Sequence, residues 1–311
     1  MPDILQEDSR ARLKFVAAFA VMYLVWGSTY LFIRIGVADI PPAVLAGLRF
    51  LFAGTALTIA GFARGGRWPD RRDWVTLVVL AIGLVVIGNG VVTWAEQWIP
   101  SGEAAFIVAG SALFIALFGT LGPRGERLIP VTVIGLILGF AGTALMLLPR
   151  IRGVHGPLAP ALALVGSSCC WAAAAMYSRS RGFTASPLVF TGLQMLLGGS
   201  VLAGIALATG QFGRIHWTLP ATVALAYLTL FGSGLAYATY NWLIHRARPA
   251  QLGTTAYVNP AVALLLGWAV LGEELSPVAF LGVGVMFFGV VIVNLRRRRP
   301  SRLLTKTGTG A

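Results

Sequence analysis

Charge is what this chain lacks. Charged residues make up 11% of its 311 positions, and only 11 of them are acids, against about 25% in a soluble domain. That deficit excludes an ordinary water-soluble fold. Cysteine and histidine are scarcer still, at two and three residues. Cys169 and Cys170 are adjacent within an apolar run, where helical geometry does not let neighbours bridge. They read as small packing residues, and no disulfide framework exists. His155, His216 and His245 are far apart at loops or helix ends, which argues against a metal site. The chain also lacks His-Glu-x-x-His, Gly-x-Ser-x-Gly and any phosphate-cradling Walker loop. Nothing in it implies a cofactor, and the absent Walker loop speaks against an ATP-driven pump.

What fills the chain is apolar sequence, 57% of all residues. Ten runs stand out: 15–35, 42–62, 74–95, 102–121, 129–148, 157–178, 187–208, 218–240, 250–271 and 276–295. Each has about 20 residues, enough for a hydrocarbon core of roughly 30 Å. Continuous runs without strict alternation indicate helices rather than a barrel. The first run is too long, and too poor in a small-residue cleavage site, for a removable signal peptide. Ser186-Pro187 and Ser276-Pro277 read as N-caps followed by proline at the first helical position. Ser101-Gly102-Glu103 reads as a helix start with an acid at its positive end. Gly135 with Gly139, Gly198 with Gly199, and Gly282 with Gly284 are small-residue faces for close helix contact.

The first half of the chain recurs in the second. Trp26, Arg34, Pro42, Gly47 and Gly54 return 145 residues later as Trp171, Arg179, Pro187, Gly192 and Gly199. Gly88, Gly90 and Trp98 return at a shift of 144 as Gly232, Gly234 and Trp242. Glu126, Pro130, Gly135 and Gly142 return at 147 as Glu273, Pro277, Gly282 and Gly289. Chance matching does not keep order over such a length. Five spans per copy is an odd number, so the second copy must lie upside down in the bilayer. The expected fold is therefore an all-α membrane protein of ten transmembrane helices in two inverted five-helix repeats. Residues 1–14 form a cytoplasmic arm, 15–148 the first repeat, 157–295 the second, and 296–311 a basic cytoplasmic tail. Inverted repeats imply alternating access, with the substrate at the repeat interface near the midplane.

The net charge of +13 invites a nucleic-acid partner, but its placement argues for lipid instead. With the N-terminus in the cytoplasm, nineteen Lys and Arg fall on the inner side, including Arg64, Arg67, Arg71, Arg72 and the run Arg296–Arg299. Three fall outside: Arg150, Arg152 and Arg214. This is the positive-inside pattern, and it predicts both termini inside with basic clusters touching anionic headgroups.

Three blocks carry a resemblance: Trp-Gly-Ser-Thr-Tyr (Trp26 to Tyr30), Pro42 with Arg49, and Leu-Gly-Glu-Glu-x-x-Pro (Leu271 to Pro277). Together they resemble EamA-type members of the drug/metabolite transporter superfamily, over about residues 14–295. In that family a Gly-Glu block followed by spaced glycines ends each five-helix repeat. Gly272 to Gly289 follow the pattern, whereas Gly122-Pro123-Arg124-Gly125-Glu126-Arg127 inserts a proline and moves charge. The resemblance implies a bacterial inner-membrane exporter of amino acids or related metabolites.

Polar and aromatic residues within spans are the candidates for a binding site, since lipid-facing positions gain nothing from them. The first helix of each repeat offers Trp26, Ser28, Thr29 and Tyr30, then Trp171 and Tyr177. The third helices offer Asn89, Thr93 and Trp94, then Tyr237, Tyr240 and Asn241. The ninth offers Tyr257, Asn259 and Pro260, and Gln194 matches Arg49. Trp74, Trp98 and Trp242 read as interfacial anchors. For Tyr30, Tyr177 and Tyr240 both anchor and cavity readings stand. Arg49 lies seven residues past Pro42, about 10 Å below the surface at 1.5 Å per residue. It either attracts a substrate carboxylate or ties to helix-end carbonyls or to Glu96. Small metabolites, amino acids above all, are thus the expected cargo. Other solutes or drugs (purines, sugars, toxic compounds) are the alternative, and a membrane-embedded enzyme or a non-transporting sensor is a remoter one. The acids all appear near span ends, which favours facilitated export or exchange over tight proton coupling.

The topology has a direct test. In a variant with Cys169 and Cys170 replaced, single cysteines at Asp39, Gly153 and Gly210 should react with an impermeant maleimide on intact cells. Reaction only after permeabilisation would refute the orientation.

Overall fold

The computed structural model describes residues 2–119, 130–153, 156–181, 183–244, 255–274 and 276–295. Among the described residues every regular element is helical. The helices are α1 (Pro2–Gly36), α2 (Pro42–Ala63), α3 (Asp73–Ala95), α4 (Ser101–Phe118) and α5 (Pro130–Ile151). They continue with α6 (Leu158–Ser180), α7 (Pro187–Ala208), α8 (219–244), α9 (Thr255–Leu271) and α10 (Pro277–Leu295). Eight are long and apolar enough to cross a membrane; α9 and α10 hold the shorter apolar stretches Val258–Leu271 and Pro277–Ile292. The segment 122–127, where the first copy departs from the family pattern, lies outside the described residues, as does residue 250, the expected start of the ninth span.

Proline sets four of the starts. Pro42, Pro130, Pro187 and Pro277 each occupy the first helical residue, where the missing N–H has no intrahelical partner to lose. The serine before a proline acts differently in the two copies. Ser276 Oγ accepts from Ala279 N at 3.1 Å, an ordinary cap. Ser186 Oγ instead accepts from Arg67 N at 2.9 Å, so it ties the 64–72 connection to the 181–186 connection. Gly210 and Gly272 hold positive φ of 65° and 64°, conformations that suit glycine at helix ends.

Two helix pairs form the spine, and each joins a helix to its repeat equivalent. α2 crosses α7 with backbones nearly in contact. A Cβ placed on Gly54 would stand 2.8 Å from Gly192 O and 2.8 Å from Leu196 N. One on Gly199 would stand 2.9 Å from Leu51 N. α5 crosses α10 in the same way, with Gly142 against Met286 N and Gly282 against Met146 N. The small-residue faces at Gly139, Gly198 and Gly282 thus meet a neighbour as expected. Gly284 differs, with nothing within 4 Å of its added Cβ.

The third helix of each copy is irregular. Ala81–Gly90 of α3 and Leu228–Leu235 of α8 are π-helical. These stretches carry the repeated Gly88, Gly90 and Gly232, Gly234. Such wide turns occur most often at functional sites, and α7 packs on the first while α2 packs on the second.

The crossings predict which glycines tolerate bulk. Gly282→Val should cost about 2 kcal/mol through overpacking, because its added Cβ would meet Met146 N at 2.6 Å. Gly204→Val, with nothing within 4 Å, should melt in detergent like the parent. Equal melting temperatures for the two variants would refute the spine.

Candidate functional site

The two copies meet crosswise at the π-helical stretches. Trp26 of α1 donates its indole N–H to Gly232 O at 3.3 Å. Trp171 of α6 lies against Gly88, where an added Cβ would stand 2.8 Å from its Cδ1. The repeated tryptophan of each copy therefore covers the repeated glycine of the other. Beside Gly88 is Asn89, and its equivalent at the 144-residue shift is Ser233. Asn89 Nδ2 donates to Leu84 O at 2.8 Å inside the widened turn. Ser233 Oγ accepts from Arg49 Nε at 2.7 Å.

Arg49 is the centre of this arrangement. It is 3% exposed, and its guanidinium carbon lies 4.7 Å from the Phe50 ring centroid. Its NH1 is buried without a partner. Among the described residues Arg49 makes no tie to Glu96 or to a helix-end carbonyl; a hydroxyl from α8 holds the Nε. The other expected residues divide. Trp26 packs edge-on to Tyr237 and tilted on Tyr240, at 5.6 and 5.4 Å between centroids. Thr29 packs by Gly232, and Ser28 Oγ shares a 2.7 Å hydrogen bond with Tyr227 OH. Tyr30 is within electrostatic reach of both Arg49 and Glu96. Asn259 Oδ1 is buried without a partner on α9, and its backbone carbonyl backs Gly27 of α1. The side chains of Tyr257 and Asn241 lie outside the described residues.

Two expected residues stand apart. Trp94 is 38% exposed, stacks edge-on with Trp98 at 5.0 Å, and lines a cavity of about 340 Å³ at one end of the bundle with Asp39, Gln97, Gln211 and His216. Its position one turn beyond Asn89 carries it past the central group. Tyr177 lies at the opposite end under Arg181, whose guanidinium carbon is 5.5 Å from the ring centroid. That contact favours the anchor reading for Tyr177.

The end that carries Glu96 is closed by polar ties. Glu273, from the connection between α9 and α10, caps α4. Its carboxylate accepts from Ser101 N at 2.9 Å, Ser101 Oγ at 2.7 Å and Gly102 N at 3.4 Å. Glu103 lies in the first turn of this helix as expected and pairs with Arg150, whose Nε and NH2 donate to it at 2.9 and 2.8 Å. Arg34 donates to the backbone carbonyl of Glu96 and reaches Glu273 at 4.0 Å. Glu96 itself is 0% exposed, and neither carboxylate oxygen has a partner. Burial pushes its carboxyl well above the usual carboxylate range; Glu273 adds to the rise, and Arg34 and Arg49 oppose it. Local spacing does not reveal this burial, because Glu96 falls just past a span and reads as interfacial. A fully buried Glu96 is not the interfacial acid expected of uncoupled transport. At the other end Asp73 accepts from Thr184 Oγ1 at 2.7 Å and Thr184 N at 3.0 Å.

Two homologous bundles that cover each other's midplane residues define a membrane transporter built from a repeated unit. The EamA-like transporter family matches residues 13–148 and 158–295, one match per copy, and the chain belongs to that family. Among its relatives is the inner membrane transporter YedA of Escherichia coli (strain K12), 37% identical with 92% of each chain covered. The transporter YvbV of Bacillus subtilis (strain 168) is 25% identical over 94% of this chain and 95% of its own. A protein named "Probable terminal-alkyne amino-acid exporter" from Streptantibioticus cattleyicolor is 26% identical, over 93% of this chain and 97% of its own. A solved crystal structure shares the fold at a TM-score of 0.63 and 24% identity, over 92% of this chain and 99% of that one.

The buried pair at the closed end is open to measurement. Arg150→Met should lower stability by about 3 kcal/mol, since it strands a buried Glu103 charge. Arg150→Met combined with Glu103→Leu should recover most of that loss in denaturant or thermal melts. A double variant no better than the single would show that the pair is not the source.

Proposed function

We propose that this protein is a secondary transporter of the bacterial inner membrane that exports small metabolites, amino acids first among them, by alternating access. On this reading the chain crosses ten times, the copies are inverted, and both termini are cytoplasmic. The observation that carries it is the crosswise covering of Gly232 by Trp26 and of Gly88 by Trp171. A centre made by two related bundles is what an alternating transporter rocks about. The basic bias puts the Glu96 end outside, so the ties of Glu273 and Arg34 would close the exit. Two of the relatives above support this indirectly: YedA carries the words inner membrane in its name, and the Streptantibioticus protein carries the words amino-acid exporter.

Trp26, Ser28, Thr29, Tyr30, Arg49, Asn89, Trp171, Tyr237 and Asn259 would line the pathway. The ring surfaces of Trp26 and Tyr237 suit apolar or aromatic side chains, and Arg49 with the amide groups suits polar ends. Efflux of other small solutes is the second reading, and one assay separates the two.

Purified protein in liposomes loaded with a panel of amino acids should release apolar and aromatic ones faster than protein-free vesicles. Trp26→Ala and Trp171→Ala should each cut that flux about tenfold or more while the folded yield changes little. Full flux in both folded variants would make these tryptophans packing residues. A panel in which only purines, sugars or drugs move would favour the second reading.

A further inference from the structure

Among the described residues, two side chains of opposite charge are buried with hydrogen-bonding atoms unmet. Arg49 NH1 has nothing to donate to, and Glu96 Oε1 and Oε2 have nothing to accept from. The two are 3% and 0% exposed and within electrostatic reach of each other, with Tyr30 in reach of both. They do not pair. The described ion pairs are Arg34 with Glu273 and Arg150 with Glu103. Each is anchored from elsewhere: Arg49 by Ser233 at 2.7 Å and by Phe50, Glu96 through its own backbone carbonyl by Arg34. Burial alone holds Glu96 toward its protonated form, while Arg49 keeps its charge; a ligand that carries both a cation and an anion would meet the two groups with both charges kept.

We propose that Glu96 and Arg49 are the two poles of a receptor for a free α-amino acid zwitterion, with Glu96 taking the ammonium group and Arg49 the carboxylate. This rests on the reading of the chain as an amino-acid exporter and adds the group that recognises the amine. Simpler ligands meet only half of the requirement. A proton or metal cation satisfies Glu96 and leaves Arg49 NH1 unmet; an anion does the reverse. A zwitterion carries both charges on one carbon and satisfies both at once. Its ammonium offers three N–H donors to a carboxylate that has only acceptors, and its carboxylate accepts a charge-assisted bond from the free guanidinium nitrogen.

The two poles also fix an orientation. Glu96 follows the last residue of α3 at the Glu273 end, while Arg49 lies seven residues into α2 and so deeper in the bundle. The amine therefore points to the Glu273 end and the carboxylate toward the π-helical stretches. Neither pole reads the side chain, so discrimination among amino acids falls to Trp26, Tyr237 and their neighbours. Substrates lacking either charge are rejected: N-acetylated amino acids have lost the ammonium, and amino-acid amides the carboxylate.

The test uses the full-length protein in liposomes with radiolabelled leucine and phenylalanine. Unlabelled leucine should compete, while N-acetyl-leucine and leucinamide should not at the same concentration. Glu96→Gln should lower leucine flux about tenfold or more, the loss of one charged hydrogen bond, and Glu96→Asp should restore part of it. Thermal melts and elution profiles identify the folded variants. Competition by N-acetyl-leucine equal to that by leucine would overturn the receptor, and so would wild-type flux through folded Glu96→Gln. If Glu96→Gln does not fold, the competition series on the unmodified protein decides alone. If no amino acid moves through the unmodified protein, the export reading fails and takes the receptor with it, an outcome distinct from the other two.

Discussion

Backbone-to-backbone contact at glycine holds this molecule together. Lipid tails are as apolar as leucine, so helices in a bilayer gain little from burying hydrocarbon against one another and must associate by close packing. Gly54 against Gly192 and Gly282 against Met146 supply that closeness. Each contact lies between a helix and its repeat equivalent. Everything at the centre follows from it. The α2–α7 crossing brings Arg49 beside α8, and the α5–α10 crossing backs the second half of the bundle.

The π-helical stretches convert that packing into chemistry. A widened turn leaves main-chain groups short of their usual partners, and the vacant acceptors are taken up locally and across the repeat boundary. Gly232 O receives the Trp26 indole, and Leu84 O receives the Asn89 amide. Glycine at these positions lets an indole approach the backbone, which explains why Trp and Gly recur together in both copies. The result is a centre where Trp26 and Arg49 are held by the opposite repeat and Asn89 by its own.

Much of this was legible in the residues themselves. The apolar helices and the duplication follow from hydropathy and internal matching, and the rarity of polar groups in apolar runs singles out Trp26, Trp171, Asn89 and Arg49, which the structure brings to the π-helical stretches. Ser233 was within reach too, as the equivalent of Asn89, but serine in a helix is unremarkable without its partner. Glu96 and Glu273 were not legible as a buried acid and a helix cap. Their roles depend on which connections meet at one end of the bundle, and pairings across 172 residues, as between Ser101 and Glu273, leave no trace in local spacing. Trp94 was misplaced for a related reason: periodicity gives a face, not a depth.

The reliance of Arg49 on Ser233 also bears on how the protein is made. The two residues are separated by 184 positions. At about 5–20 residues per second of synthesis, a newly inserted α2 waits roughly 10–40 s before α8 emerges. Through that interval the guanidinium is in the bilayer with no hydroxyl to meet it. Its long stem lets it reach toward the headgroups until then. The partner that holds Arg49 in the first copy is thus supplied only by the second.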